Sequence, residues 1–449
     1  MEVAEVAPGR SRAKVLSGLG LLLVLALSAF LQFSVVTRST ASIPMVSDAA
    51  DYFSYAYNLK HFGVYSSALS WTPEAPPGGI VPDSLRSPGY PLFLLAIPGL
   101  DTSAAYLHRV SMVQAMLGIA SVWFVFLIAA RFLRPGWSHL AAAITAISPH
   151  LANISTYLLT ESLFLFFLLA SIHVSLLALR SQRKATLFAA GLLWGVCGLV
   201  RPTVLLLPPL FVLSAWLLPT LRSWRVSALI MAAGFFLVQA PWLVRNQVTP
   251  MDPEQGSLLV WSLHHGSYPN FMYNDRPESL GWPFRFDPDS ERAERDLPSV
   301  LADICGKFRE HPLTYAKWYL LGKPGTFLSW GYVQGTDIYV FDATRTPYKE
   351  DALFSAIRSV ALYLHWPLML LGLGAALGIF VRPRWFGLQG HALVAVRVVA
   401  IIVLYAIGFH MIVAPYPRYG VPFRPLLYIL AVAMISAPFT IRQRLVAGF

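Results

Sequence analysis

A chain of 449 residues with 56% hydrophobic and only 13% charged residues, and a mean hydropathy of +0.57, is too apolar for a water-soluble globule. It reads as an all-α polytopic membrane protein. The formal charge of +11 raises the question of a nucleic-acid partner, but that charge is sorted by membrane side rather than gathered in one patch, which argues against one.

Residues 1–14 form a basic tail with Arg10, Arg12 and Lys14, and Val15–Val36 is an apolar run of spanning length. No small-residue cleavage site follows it, so a retained span is expected rather than a removed signal peptide. Further uncharged runs long enough to cross are Val110–Ala130, Ser162–Leu179, Thr203–Leu218, Val226–Val244 and Ser359–Phe380. Leu140–Ser155, Ala185–Val200, Ala392–Val413 and Val421–Pro438 are weaker, being short, proline-bearing or charged, and bring the expected total to about ten transmembrane helices. If the spans alternate from a cytoplasmic N-terminus, Arg131, Arg134, Arg180, Arg183, Lys184, Arg222, Arg225, Arg382, Arg384, Arg442 and Arg444 join the basic tail on one side. Short loops there hold no acid, which is the positive-inside pattern and puts both termini in the cytoplasm of a multi-pass cell (inner) membrane protein. The surplus charge then serves topology and anionic membrane lipids, with no nucleic acid. Two cysteines, Cys197 in a span and Cys305 in a polar loop, build no disulfide framework.

Two large segments fall on the opposite, extracytoplasmic side. In the first outer loop, 38–106, Asp48 and Asp51 share a helical face with Tyr52, Tyr55, Leu59 and Phe62. Such an interfacial helix desolvates its carboxylates and holds them ready as a base or metal ligand; the plainer reading is that Ser47 and Asp48 cap it. A Pro/Gly-rich turn at Pro73–Pro82 follows, then Arg86-Ser87-Pro88-Gly89-Tyr90-Pro91, which bends the chain ahead of an apolar run too short to span. The second segment, 246–352, holds fifteen of the twenty-three acidic residues among ten basic ones. A loop of that length needs structure of its own, including an amphipathic helix around Pro312–Leu321 on the membrane surface. Residues 353–449 supply the C-terminal transmembrane helices.

Apart from the N-terminal tail and those two loops, the chain has a single acid, Glu161, at the outer mouth of the fourth span in Thr160-Glu161-Ser162-Leu163. An ionisable group at that depth points to function, against the plainer reading of a capping carboxylate. Arg201, Arg245 and Arg418 break the rule that short outer loops are poor in arginine, and each has a proline or an aromatic within three residues. Singly they read as snorkelling anchors; together they suggest guanidiniums around an anionic ligand, since guanidinium matches phosphate bidentately. His264 and His265 are adjacent, point different ways on any regular backbone, and are expected as surface residues of a turn rather than joint ligands of one metal. His173 and His410, inside spans, are expected to be satisfied packing groups.

Carboxylates and arginines on one membrane face fit transfer of a sugar from a lipid phosphate. A carboxylate takes the acceptor proton, cations hold the leaving phosphate, and a single in-line displacement inverts the anomeric centre. The Ser-Asp-x-x-x-Tyr helix at Ser47, the Arg86–Pro91 turn, Thr160-Glu161-Ser162-Leu163, Arg201-Pro202-Thr203, Pro241-Trp242-x-x-Arg245-Asn246 and Arg418-Tyr419 together resemble the GT-C class of integral-membrane glycosyltransferases. More narrowly, they are similar to its bacterial protein-mannosyltransferase-like and aminoarabinose-transferase-like group. The resemblance runs from about Val15 to Asn246, in a transmembrane catalytic region over 15–245, and returns near Tyr416–Pro425. It implies Asp48 as catalytic base, with Asp51 the alternative and Glu161 completing the site. Where many relatives carry an Asp-Glu pair this chain has Asp48-Ala49, and Asp48 with Asp51 or Glu161 is left as the possible seat of a divalent cation, Mg or Mn. Arg201, Arg245, Arg418 and Tyr419 would lie at the donor phosphate, and Arg86 and Tyr90 would steady the donor or the first loop. The implied partners are a polyprenyl-phosphate sugar donor and a glycan, lipid or protein acceptor. A multi-span transporter or lipid flippase, or a lipid-linked polysaccharide polymerase or ligase, is the competing reading; a transporter should show midplane charges or paired broken helices, and neither stands out here.

Overall fold

A computed structural model describes residues 8–41, 45–72, 79–251 and 256–446. The first seven residues of the expected tail and 73–78 of the Pro/Gly-rich turn lie outside these. The architecture is helical throughout, with one two-stranded antiparallel ribbon pairing Thr40–Ala41 with Ala343–Arg345. Beside that ribbon Arg38 pairs with Asp351 at 3.1 Å, so the start of the first outer segment is tied to the end of the second.

Among the described residues, seven helices are long and apolar enough to cross a membrane: Val15–Arg38, Ala104–Ala129, Glu161–Ser181, Pro219–Val248, Ala352–Val381, Gly390–Ile412 and Pro417–Phe439. All ten apolar runs read from the sequence are helical, but three fall short of that length. Leu140–Ser155 is split by Pro149 into helices Pro135–Ala146 and Pro149–Ile154. Thr203–Leu218 is broken near Pro208 and Pro209, leaving a helix Leu207–Leu217, and Lys184–Val200 has 17 residues. The chain is a multi-pass membrane protein.

Burial explains why the last span looked weak by hydropathy. Over an 18-residue stretch of Pro417–Phe439, 89% of the residues are buried inside the protein, so its neighbours are helices rather than lipid, and small and polar residues such as Ala431 and Ser436 are tolerated. By contrast an 18-residue stretch of Val15–Arg38 has only 28% of its residues buried, and the helix shows exposed leucines at 16, 19, 22 and 23. Helices Lys184–Val200 and Arg225–Val248 cross at close range because Gly191 has no side chain: a Cβ there would lie 2.0 Å from the carbonyl oxygen of Met231.

The acid-rich segment is folded as expected, but not with the expected helix. Pro312 does begin a helix, yet it ends at Lys317, passes through a π turn at Trp318–Gly322 and resumes as Lys323–Leu328. The two-faced helix is instead Leu297–Glu310, capped by Asp296, whose carboxylate accepts the Ser299 amide at 2.8 Å. Its Val300 packs with Val260, Leu263 and Val413, which seats this helix and Leu258–Ser267 on the end of the bundle.

Candidate active site

Five separated segments converge at one end of the bundle. Arg86 Nη2 donates to Asp48 Oδ1 at 2.7 Å and to Asp51 Oδ2 at 2.8 Å, and its Nε reaches the same Asp51 oxygen at 3.1 Å. Arg418 Nη2 pairs with the other oxygen of Asp48. Its Nε lies 3.2 Å from Glu161 Oε1, to which Arg201 Nη1 also donates at 3.1 Å. The result is an unbroken row of alternating sign, Asp51, Arg86, Asp48, Arg418, Glu161, Arg201, with three carboxylates balancing three guanidiniums. All but Asp51 line a cavity of about 620 Å³. Tyr419 lines it too, its ring beneath the Arg201 guanidinium at 4.4 Å.

Neither acid is a helix cap. Ser47 makes no side-chain cap, both Asp48 oxygens are taken by guanidiniums, and Glu161 opens its helix but spends Oε1 on two arginines. Glu161 is 2% exposed, and its Oε2 has no hydrogen-bond partner among the described residues. Burial pushes the Asp48 carboxyl up, but Arg86 and Arg418 outweigh that and hold it well below the usual carboxylate range. Asp51 goes the other way: burial, with Asp48 and Asp83 nearby, raises it despite Arg86. Two acids one helical turn apart are thus driven to opposite protonation tendencies, and Asp51, off the cavity wall, meets the row through Arg86.

The Asp48–Phe62 helix also sits differently from its expected face. Ala49, Phe53 and Ala56 are buried with Tyr55, while Phe62 is 52% exposed, so the core-facing stripe lies beside the acids rather than through them. That rotation turns Asp48 and Tyr52 to the cavity. The loop that delivers Arg86 is fixed from two sides. Asp83 is buried and accepts from the Ser67 amide and hydroxyl at 2.7 Å each, from the Leu85 amide at 3.2 Å and from the Tyr55 hydroxyl. Three residues beyond Arg86, a Cβ on Gly89 would lie 2.6 Å from the Val200 amide nitrogen, so only glycine lets this loop press against the backbone that ends in Arg201.

Two predicted donor residues are placed elsewhere. Tyr90 is fully buried, donates to Gln114 Oε1 at 2.9 Å and is absent from the cavity wall. Gln114 in turn donates to the carbonyls of Ser155 and Tyr157 at 3.0 and 2.8 Å, so Tyr90 helps hold the turn that presents Glu161. Arg245 is also off the wall: it clamps the carbonyls of Asp83 and Tyr65 at 2.7 and 3.1 Å between the rings of Tyr65 and Trp242. Both side chains are engaged by the protein itself, Tyr90 by a buried amide and Arg245 by backbone carbonyls, rather than turned to the cavity. A divalent cation held by Asp48 with Asp51 or Glu161 does not fit either. The Asp48 oxygens and Glu161 Oε1 already accept guanidinium protons, and a hard cation needs several free oxygens on one wall, whereas among the described residues Glu161 Oε2 and Asp51 Oδ1 are the carboxylate oxygens of these acids without a partner and Asp51 lies off the cavity wall.

The histidine pair is a further correction. His264 and His265 lie on the helix Leu258–Ser267, and His264 is wholly buried. His264 Nδ1 and His265 Nε2 both meet Glu294 Oε1, at 2.8 and 3.1 Å. Adjacent side chains can converge because one uses its near ring nitrogen and the other its far one. His265 and the neighbouring aromatics Trp282 and Phe284 also form part of the cavity wall, a contribution that the sequence reading missed. The only signal was a Trp-x-Phe pattern in an acid-rich loop.

With the geometry in place, comparison with known proteins is decisive for the fold. Over 95% of this chain, a crystal structure of the apo oligosaccharyltransferase from Archaeoglobus fulgidus superposes with a TM-score of 0.50 and 15% identity, covering 51% of that protein. The oligosaccharyltransferase AglB from the same organism, in complex with an inhibitory peptide and a dolichol-phosphate, gives 0.52 and 13% identity, over 97% of this chain and 52% of that one. The fold is that of a GT-C membrane glycosyltransferase. The chain described here spans about half the length of those archaeal proteins. A family described as dolichyl-phosphate-mannose-protein mannosyltransferase matches residues 104–244, a stretch that includes Glu161 and Arg201 but not Asp48, Arg86 or Arg418. ArnT from Cupriavidus metallidurans bound to undecaprenyl phosphate covers 93% of this chain and 78% of its own at 14% identity, but at a TM-score of 0.36 it adds nothing to the assignment. No curated protein sequence matches the chain.

Proposed function

We propose that this protein is an integral-membrane glycosyltransferase that moves a sugar from a polyprenyl-phosphate donor to an acceptor hydroxyl at the extracytoplasmic face. The observation that carries it is the alternating row of three carboxylates and three guanidiniums on one cavity, assembled from segments up to 370 residues apart. Self-neutralised, the row is stable without a ligand; an incoming phosphate competes for Arg418 and Arg201 and leaves their carboxylates uncovered. Losing Arg418 returns Asp48 toward an ordinary carboxylate basicity, so the base is armed where and when the donor is bound. Asp48 then takes the acceptor proton as the acceptor oxygen bonds to the anomeric carbon. The bond from that carbon to the phosphate oxygen breaks, and the lipid phosphate leaves with its new charge on Arg201 and Arg418. One displacement inverts the anomeric centre. The positive-inside distribution supports an extracytoplasmic site, and AglB's dolichol-phosphate supports a lipid-phosphate donor.

The test is transfer of radiolabelled sugar from a polyprenyl phosphate by the purified protein, with donor and acceptor binding measured separately. Wild type is expected to transfer label, and Arg201→Ala to weaken donor binding at least tenfold with little change for acceptor. Equal loss of both counts against the phosphate contact. A protein that moves lipid across vesicles but releases no sugar from it is a transporter or flippase.

A further inference from the structure

A second cluster of ionisable groups stands behind the cavity wall and reaches it through His265. We propose that His264, His265 and Glu294 form a binding site for a zinc-class divalent metal ion, with His264 Nδ1, His265 Nε2 and Glu294 Oε1 as ligands and a fourth position facing the cavity. The three atoms lie within 4.8 Å of one another, and the carboxylate oxygen is 2.8 and 3.1 Å from the two nitrogens. Bonds of about 2.0–2.1 Å in a tetrahedron set ligands about 3.3 Å apart, so modest side-chain adjustments admit the ion. Two imidazoles and one carboxylate select zinc over magnesium or calcium, which prefer all-oxygen shells.

The surroundings fix the ligands in the orientation a metal requires. Tyr268 donates its hydroxyl proton to Asp287 Oδ2 at 2.6 Å, so its oxygen accepts from His264 Nε2 at 2.8 Å. That hydrogen bond keeps the proton on Nε2 and leaves the Nδ1 lone pair aimed at a carboxylate oxygen. Two lone pairs held 2.8 Å apart call for positive charge between them, and a carboxylate behind the distal ring nitrogen is the usual support of a metal-bound histidine. His265 is held flat on Phe284, ring centroids 4.1 Å apart and 6° from parallel. Exposure is graded to match: His264 is sealed, while His265 and Glu294 each keep about a fifth of their side chains open, and His265 borders the cavity. Three protein ligands with one accessible position is the arrangement of an open zinc centre. The ion would tie the helix Leu258–Ser267 to the turn Ser290–Ala293 above the charged row, where water or an acceptor oxygen completes its shell. The site does not depend on the proposed reaction.

The experiment measures zinc content and zinc affinity of the purified full chain, with Asp48→Asn as the control for binding at the charged row. Wild type is expected to hold one zinc per chain, with X-ray absorption showing two imidazole nitrogens and a carboxylate oxygen at about 2.0–2.1 Å. Glu294→Gln keeps an oxygen to accept from the histidines in the metal-free fold, and is expected to lose more than 100-fold in affinity. Tyr268→Phe, which acts through His264, should lose about 10–100-fold. Asp48→Asn should bind as wild type does. Wild type that is folded by its melting transition but binds no zinc overturns the proposal and leaves a histidinium–carboxylate pair in its place. Zinc lost in Asp48→Asn and kept in Glu294→Gln overturns it equally.

Discussion

At the residue scale, charge in the wrong place was the readable signal. Glu161 stands apart from every other acid of the chain, and Arg201 and Arg418 break the topological charge rule; all three meet on one cavity wall. Arg245 gave the same signal and serves a backbone clamp instead, because exposure against the rule marks a costly charge without saying what compensates it. Glu294 was invisible as a partner of the histidines because 29 residues separate it from His265 and no local pattern links them. The pairing of Asp48 makes a prediction about pH. Its folded-state value is depressed below the usual 3.8, so the stability it contributes is fully present above about pH 4 and is lost as the pH falls further. Asp48→Asn is therefore expected to be less stable than wild type at pH 7 by about 3 kcal/mol, the lower end for removing one partner of a buried pair, because one side faces the cavity. The gap should narrow between pH 4 and pH 2. Melting curves across that range check it; a gap constant with pH would mean that Asp48 does not titrate against Arg86 and Arg418.

At the scale of elements, hydropathy located the apolar runs, while the break at Pro149, the late start of Leu207–Leu217 and the 17-residue length of Lys184–Val200 set which of them fall short of spanning. What it could not give was rotation. The stripe of Asp48, Tyr52 and Tyr55 is real, but the core takes the neighbouring stripe of Ala49, Phe53 and Ala56, since a helix sandwiched between a cavity and a bundle is buried on more than one face. Nor does spacing reveal close backbone contacts, which depend on what lies opposite. Gly89 is such a contact, and it sets the distance between the Arg86 loop and the Arg201 end of its helix. Gly89→Ala must push the two apart, at a cost of about 1–3 kcal/mol. The variant is expected to melt lower than wild type and to bind donor more weakly. Measured transfer and donor binding equal to wild type would show that this contact does not position the guanidiniums.

Across the whole molecule, the charged row is assembled by the fold and by nothing local. Asp48 and Arg418 approach from opposite ends of the chain, and the ribbon of Thr40–Ala41 with Ala343–Arg345 and the Arg38–Asp351 pair hold the two outer segments together. In the proposed reaction this arrangement stores the base under guanidiniums until the donor phosphate displaces them, which would couple donor binding to reactivity through a single set of side chains. The coupling gives Asp48→Asn two effects that a structural defect would not combine. Without the Asp48 carboxylate the guanidiniums are freer to meet a phosphate, while the acceptor proton has nowhere to go. The deciding measurement is turnover and donor Kd for wild type and Asp48→Asn in the same proteoliposomes, at saturating acceptor. The expected result is turnover reduced about 10²–10⁴-fold with donor Kd unchanged or tighter; wild-type turnover in the variant, or a donor Kd that weakens in step with the lost rate, would contradict the account.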